Sequence, residues 1–62
     1  MTDMQDLLQL LKRWGIEPYA DKLLNKEMEV ETYVVLVDDA DKDVVIEFNF
    51  DKDEKFLDMG VA

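Results

Sequence analysis

The spacing of apolar residues changes near position 27, and this change constrains the fold more than any other feature of the chain. Before it, Met4, Leu7, Leu8 and Leu11 recur at three- and four-residue intervals, which predicts one buried face of an α-helix. After it, apolar and polar residues alternate in EMEVETYVVLV, VVIEFNF and KFLDMGVA, a pattern typical of three β-strands. Because the links between these strands are short, the sequence predicts an antiparallel meander and an α+β fold.

The first helix carries its own start and stop signals. Thr2 and Gln5 have the spacing of a capping box, and Gly15 suits the left-handed residue that ends a helix. Pro18 then suits the first position of a second, short helix over PYADKLLNKE. We therefore expect one α+β domain, residues 1–62, in the order helix, short helix and three strands, with the first helix packed on one face of the sheet.

The alternation also predicts which strand residues face the helix. Even positions across 28–36 and across 44–50 form the apolar side of the first and second strands. Opposed residues of paired strands share a face, so their numbers should sum to an even value near 80 or 82. Odd positions of the first strand, including Tyr33 and Val35, are then expected on the outer face.

Charge is distributed unevenly along the chain. The net charge is −9, and residues 27–62, with twelve acids and three bases, carry all of it. Nucleic acid and anionic membranes attract clustered Lys and Arg, so neither is expected as a direct partner. The N-terminal apolar residues are interrupted by charges, unlike a secretory signal, and no apolar run approaches the roughly 18 residues of a membrane span. We expect a cytoplasmic protein.

Missing residue types argue against an enzyme. The chain contains no His, no Cys and no Ser, so most nucleophilic catalysts and the usual zinc ligands are lacking. Carboxylate pairs can perform acid–base chemistry, but they need a cleft that shifts their pKa values apart. Nearly all acids here fall in predicted turns or on the outer sheet face. We expect a non-enzymatic protein without a cofactor.

Two acidic links join the predicted strands. Asp39, Asp41 and Asp43 match the first three carboxylates of an EF-hand loop, but apolar residues occupy its glycine and final glutamate positions. A solvated turn is the favoured interpretation, with weak Ca²⁺ binding as the alternative. The second link, 51–55, fits a type I turn followed by a left-handed residue at Glu54, where Gly is preferred.

The outer face of the predicted sheet is the candidate functional surface. Glu27, Glu29 and Glu31 point the same way at steps of about 6.8 Å, close to two phosphate steps of DNA. These charges either imitate DNA or only keep the protein in solution. Apolar side chains beside them indicate a contact surface, and an edge strand stays open for strand addition. The predicted partner-binding residues are Glu29, Glu31, Tyr33, Val35, Glu47, Phe56 and Asp58.

Three kinds of cover suit such an apolar patch: a second copy of the chain, a foreign protein, or the chain's own second helix. A chain of this length gains little net stability from its own core, which favours a homodimer or another partner.

Two resemblances add expectations. LKRWGIEPYADKLL, residues 11–24, resembles the opening of a sterile alpha motif domain, although the β-rich second half has no counterpart in that helical fold. The whole chain, a capped leucine helix ending WGI and acidic strands ending F-x-F-D-x-D-x-K-F-x-x-x-G-V, resembles small acidic proteins encoded by bacteriophages. Some of those are inhibitors of host or defence machinery, such as anti-CRISPR proteins and DNA mimics. This resemblance implies an inhibitor in the host cytosol and assigns no site residue.

The sequence thus predicts a non-enzymatic acidic interaction protein that blocks a basic surface of a host or defence protein. In this hypothesis the carboxylates supply charge complementarity, and Tyr33, Val35 and Phe56 are the buried anchors. The alternative is a structural homodimer whose outer patch is its subunit contact.

Overall fold

The structure is a computed structural model that describes residues 1–39 and 43–61, without the side chain of Asp39. Among these residues it contains one helix and one four-stranded antiparallel sheet. The strands lie in chain order across the sheet, as in a meander. The predicted α+β class and N-terminal helix are confirmed, but the predicted count of three strands is wrong. The elements are α1 (Asp3–Arg13), β1 (Tyr19–Leu24), β2 (Val30–Asp39), β3 (Val44–Asp51) and β4 (Phe56–Val61).

Both ends of α1 follow the predicted local signals. The Thr2 hydroxyl accepts the amide of Gln5 at 3.1 Å, and the Gln5 side-chain oxygen accepts the amide of Thr2 at 3.1 Å. Gly15 adopts a φ of +74°, and the amides of Gly15 and Ile16 donate to carbonyls of the last turn at 3.1 and 2.8 Å. No helix in the described part of the chain is long and apolar enough to cross a membrane.

The predicted second helix is wrong, because residues 19–24 form the edge strand β1. A ten-residue helix gains little from its own hydrogen bonds, whereas β2 offers this segment a continuous ladder. Residues of β1 alternate in side, so Tyr19, Asp21 and Leu23 share one face of the sheet.

The chain reverses direction before β2, within residues 25–29. The amide of Asn25 donates to the carbonyl of Glu29 at 2.8 Å, and the Asn25 side-chain oxygen accepts the amides of Glu27 and Glu29. Met28 adopts a φ of +66° in this turn. Glu27 and Glu29 therefore precede the strand, and the predicted regular row of three glutamates along it is wrong.

The pairing of β2 with β3 differs from the predicted register by one residue. Tyr33 lies opposite Phe50 and Val35 opposite Phe48, so opposed residue numbers sum to 83, an odd value. A shift of one residue exchanges the two faces of a strand. β2 is apolar on both sides, so its own alternation does not choose a face, and the aromatic side of β3 selects Tyr33, Val35 and Val37.

The core lies between α1 and this face of the sheet. Val35 and Phe50 are 0% and 1% exposed, and Met4 and Leu11 of α1 are also buried. Removing a Val or Phe side chain of this kind from water contributes about 1.5–3 kcal/mol. The remaining apolar contacts come from partly buried neighbours, namely Leu7, Leu8, Tyr33, Val37 and Phe48.

The start of α1 is tied to the turn between β3 and β4. The Met4 amide donates to the Glu54 carbonyl at 3.1 Å, the Thr2 hydroxyl donates to the Glu54 carboxylate at 2.9 Å, and the Phe56 amide donates to the Asp3 carboxylate at 2.9 Å. Glu54 adopts a φ of +65°, which confirms the predicted left-handed residue. The turn therefore positions the helix over the sheet.

Candidate protein-binding surface

The apolar patch predicted around Tyr33 and Val35 is not exposed. Both side chains lie on the helix side of the sheet, where Val35 is fully buried and Tyr33 is partly buried against the core. The cover found is α1, whereas the expected intramolecular cover was a second helix, so that expectation is wrong. Val35 is therefore a core residue, and its prediction as a surface anchor is wrong.

The other predicted binding residues are divided between the two sides of the sheet. Glu47 and Asp58 lie on the side away from α1. Phe56 lies beside α1, with its ring edge-to-face against Phe50 at a centroid distance of 6.0 Å. Glu29 sits in the turn before β2, and Glu31 lies two residues before Tyr33 on the helix side. The seven residues do not form one surface.

No described element packs on the sheet face opposite α1, which we call the open face. Its members follow from the strand pairing, because directly opposed residues point to the same side. Away from the irregular end of the β1–β2 ladder at Leu24, they are Tyr19, Asp21, Leu23, Thr32, Val34, Leu36, Asp38, Val45, Glu47, Asn49, Asp51, Asp58 and Gly60.

One half of the open face, on β1 and β2, is mainly apolar. Tyr19 and Leu23 are 64% and 57% exposed, and they lie beside the partly buried Val34 and Leu36. Tyr19 is directly opposite Leu36 across the β1–β2 ladder. Asp21 lies between Tyr19 and Leu23 on the same face, opposite Val34. Exposed aromatic and aliphatic side chains of this kind are enriched at protein interfaces.

The other half of the open face, on β3 and β4, is polar and acidic. Glu47 lies between Leu36 of β2 and Gly60 of β4. In the next row, the side-chain amide of Asn49 donates to the Asp58 carboxylate at 2.8 Å, which holds that acid in place. The acidic half thus adjoins the apolar half along the β2–β3 ladder.

Every charged side chain of the open face is an acid. The five are Asp21, Asp38, Glu47, Asp51 and Asp58, and none of the thirteen members is Lys or Arg. The one base in the strands, Lys22 of β1, points to the helix side opposite Tyr33. Carboxylates gathered on one face produce a negative potential that attracts cationic side chains and repels a second acidic face.

Gly60 leaves a gap in the acidic half. A Cβ built at this position would meet no atom within 4 Å, and the residue does not have a positive φ. Neither packing nor backbone strain in the described chain therefore requires glycine here. A glycine within a strand allows another molecule to approach the backbone closely, and this one lies next to Glu47.

The described residues contain no group of three or more His, Cys, Asp or Glu placed to hold a metal ion. The Ca²⁺ site predicted at Asp39, Asp41 and Asp43 lies largely outside the described residues, because Asp41 and the side chain of Asp39 are not among them. Weak Ca²⁺ binding there stays a prediction.

Sequence reasoning missed the apolar half of the open face. Tyr19 and Leu23 were assigned to a helix, and Val34 and Leu36 were assigned to the core. The segment YADKLL gave no strand signal, because its apolar and polar residues come in pairs instead of alternating.

Comparisons of the chain with protein-family models, with curated proteins and with solved structures found no match. We therefore infer the function from the residues and contacts of this chain alone.

Proposed function

We propose that this protein is a non-enzymatic interaction protein whose open face binds and blocks a basic surface of another protein. The observation that supports this proposal is the combination found on the open face: an exposed apolar strip, five acids, no base and no covering element. Apolar patches on small proteins mark contact surfaces, and the charges specify the sign of the partner.

The two halves of the open face have different roles in this proposal. Tyr19 and Leu36 enter the centre of the interface, where aromatic and aliphatic side chains usually contribute most of the affinity. Glu47 and Asp58 pair with Lys or Arg of the partner, which speeds encounter and fixes orientation. Blocking a surface needs no reacting group, which agrees with a chain that lacks His, Cys and Ser. A phage-encoded inhibitor in a host cytosol would act in this way.

A matched pair of charge reversals tests the proposal. Glu47→Lys and Glu29→Lys change the net charge equally, but only Glu47 lies on the open face, whereas Glu29 lies in the turn before β2. Proteins that bind the immobilised wild-type chain are captured from a cell lysate. The affinity of each captured protein for the wild type and for the two variants is then measured by calorimetry. We expect Glu47→Lys to weaken binding about tenfold or more, and Glu29→Lys to change it less than about threefold.

Equal losses for the two variants would show that only net charge attracts the partner, and the open face would lose its role. Tyr19→Ala provides a second check, because Tyr19 is 64% exposed and its removal should leave the fold intact. Retention of full affinity in Tyr19→Ala would contradict the role of the apolar half.

A homodimer joined through the open face is the second candidate, supported by the bare apolar half. It would bring two sets of five carboxylates together, so added salt should strengthen it. Contact with a basic partner should instead weaken with salt. Sedimentation equilibrium of the chain alone, over a wide concentration range at low and high salt, separates the two candidates. A tight dimer disrupted by Leu36→Lys would favour the homodimer.

A further inference from the structure

The outer edge of β4 is a second surface without a covering element in the described chain. β4 is the last strand of the sheet, so one side of its backbone has no neighbouring strand. All six of its residues are exposed, and Phe56, Leu57, Met59 and Val61 are between 47% and 74% exposed. Natural edge strands are usually protected by charged side chains, by proline, by a β-bulge or by a covering element. Beyond the irregularity near Phe56, β4 carries only one charge, Asp58.

A groove runs beside this edge on the helix side of the sheet, and we call it the β4 groove. Its walls come from α1 and β4, and its floor comes from β3. It is lined by Leu7, Leu10, Phe48, Phe50, Phe56 and Met59. Leu10 and Met59 are 40% and 58% exposed, so the upper part of the groove is open to solvent.

Acids occur at the rim of the β4 groove. Asp3 and Asp6 of α1 border it, and Asp58 lies on the opposite side of β4. The Phe56 amide already donates to the Asp3 carboxylate, so it is not free to donate to a carbonyl of an added strand. The backbone edge that remains open is therefore residues 57–61.

We propose that the β4 edge binds an extended, basic segment of a partner protein, which adds to the sheet as a fifth strand. Successive side chains of a strand point to opposite sides. Apolar side chains at alternate positions of the segment enter the β4 groove beside Met59 and Phe56. The intervening Lys or Arg side chains lie on the side of Asp58. Backbone hydrogen bonds to β4 supply affinity, and the groove supplies preference for apolar residues at alternate positions.

Charge selects a basic segment over a second copy of this chain. Pairing β4 with β4 of another copy would bring together two sets of Asp3, Asp6 and Asp58, in chains of net charge −9. The other edge strand, β1, is a poorer acceptor. It carries two charged side chains at its centre, Asp21 and Lys22, and charged side chains on an edge strand discourage strand addition.

The probe for this proposal is a short synthetic peptide that alternates Val and Lys, with blocked ends. Its control is the same peptide with every backbone amide N-methylated, which keeps the charge and the side chains but removes the strand-pairing donors from both edges. Binding is followed on the full chain by NMR, through chemical shifts and through hydrogen exchange of the β4 amides. We expect slower exchange at residues 57–61 with the first peptide and no such change with the methylated one.

Two variants locate the binding on the chain. Met59→Lys and Met28→Lys make the same substitution at exposed residues, 58% and 76%, on β4 and in the turn before β2. We expect Met59→Lys to weaken peptide binding about tenfold and Met28→Lys to leave it within about twofold. Because neither residue belongs to the open face, this result does not depend on the proposed function of the open face.

Three outcomes would overturn the proposal. Equal binding of the methylated peptide would show that charge alone attracts it. Peptide-induced shifts confined to β1 and β2 would place the contact elsewhere. Concentration-dependent protection of β4 amides in the peptide-free chain would identify a second copy as the occupant.

Discussion

Adjacent residues of β2 have opposite roles, and Val34 and Val35 show this most directly. Val35 is 0% exposed beneath α1, whereas Val34 lies on the open face, opposite Asp21 on one side and Asn49 on the other. The two residues have the same side chain and the same strand backbone. A difference in stability between alanine variants at these two positions therefore reports the difference between the core and the open face.

We predict that Val35→Ala lowers the free energy of unfolding by about 2 kcal/mol, because it leaves a cavity in a packed core. Val34→Ala should lower it by less than about 1 kcal/mol, since its neighbours already contact water. The total free energy of unfolding of a domain of this size is only about 3–9 kcal/mol. Urea unfolding followed by circular dichroism therefore resolves the difference between the two variants. Equal losses would mean that the open face is covered in the folded protein.

The two glycines of the chain form a second matched pair, at the scale of the elements that contain them. Gly15 ends α1 with a φ of +74°, and Gly60 lies in β4 without a positive φ. A Cβ would meet no atom within 4 Å at either position. Alanine at Gly15 therefore tests backbone conformation alone, without steric overlap.

We predict that Gly15→Ala destabilises the chain by about 1 kcal/mol, because the left-handed conformation is unfavourable for a residue with a Cβ. Gly60→Ala should be neutral or slightly stabilising, because alanine loses less conformational freedom on folding. Thermal unfolding of the two variants and the wild type measures both effects. A similar loss of stability in both variants would contradict the assignment of the helix end at Gly15.

Elements defined by neighbouring residues could be predicted from the sequence, and elements defined by distant pairing could not. The Thr2 capping box, Gly15 and the left-handed Glu54 were all predicted correctly, because each depends on only a few residues of local chain. The strand β1 and the register of β2 were predicted wrongly. Both depend on partners elsewhere in the sheet, and a strand that is apolar on both sides, as β2 is, does not identify its own buried face.

The candidate surface followed the same division. Glu47 and Asp58 were predicted as binding residues and do share the open face, because the alternation of β3 was predicted correctly. Phe56 was expected on the same face as Asp58, and the irregularity at the start of β4 places it on the helix side instead. The predictions for Tyr33 and Val35 were wrong, since the face on which they lie depends on the register of β2 with β3.

For the whole molecule, self-repulsion of the net charge of −9 is the dominant long-range effect. The protein measures 39 × 25 × 16 Å, so its acidic groups lie within a few screening lengths of one another at moderate salt. The screening length is about 10 Å at 0.1 M salt and about 3 Å at 1 M. Repulsion of this kind destabilises the compact state.

We predict that NaCl raises the melting temperature of the chain, by roughly 4–8 °C for each kcal/mol of repulsion removed. The control is the triple variant Asp21→Asn, Asp38→Asn and Glu47→Gln, which removes three of the open-face charges and should show a smaller salt dependence. An unchanged salt dependence in this variant would show that the open face contributes little to the repulsion.

The bonds from Thr2, Asp3 and Met4 to Glu54 and Phe56 join positions separated by about fifty residues of chain. α1 precedes all four strands, and the turn that holds it lies between β3 and β4. Docking of α1 on this turn closes a loop of about fifty residues, which carries an entropic cost and raises the share of long-range contacts in the fold. The helix can therefore make these bonds only where the β3–β4 turn is formed.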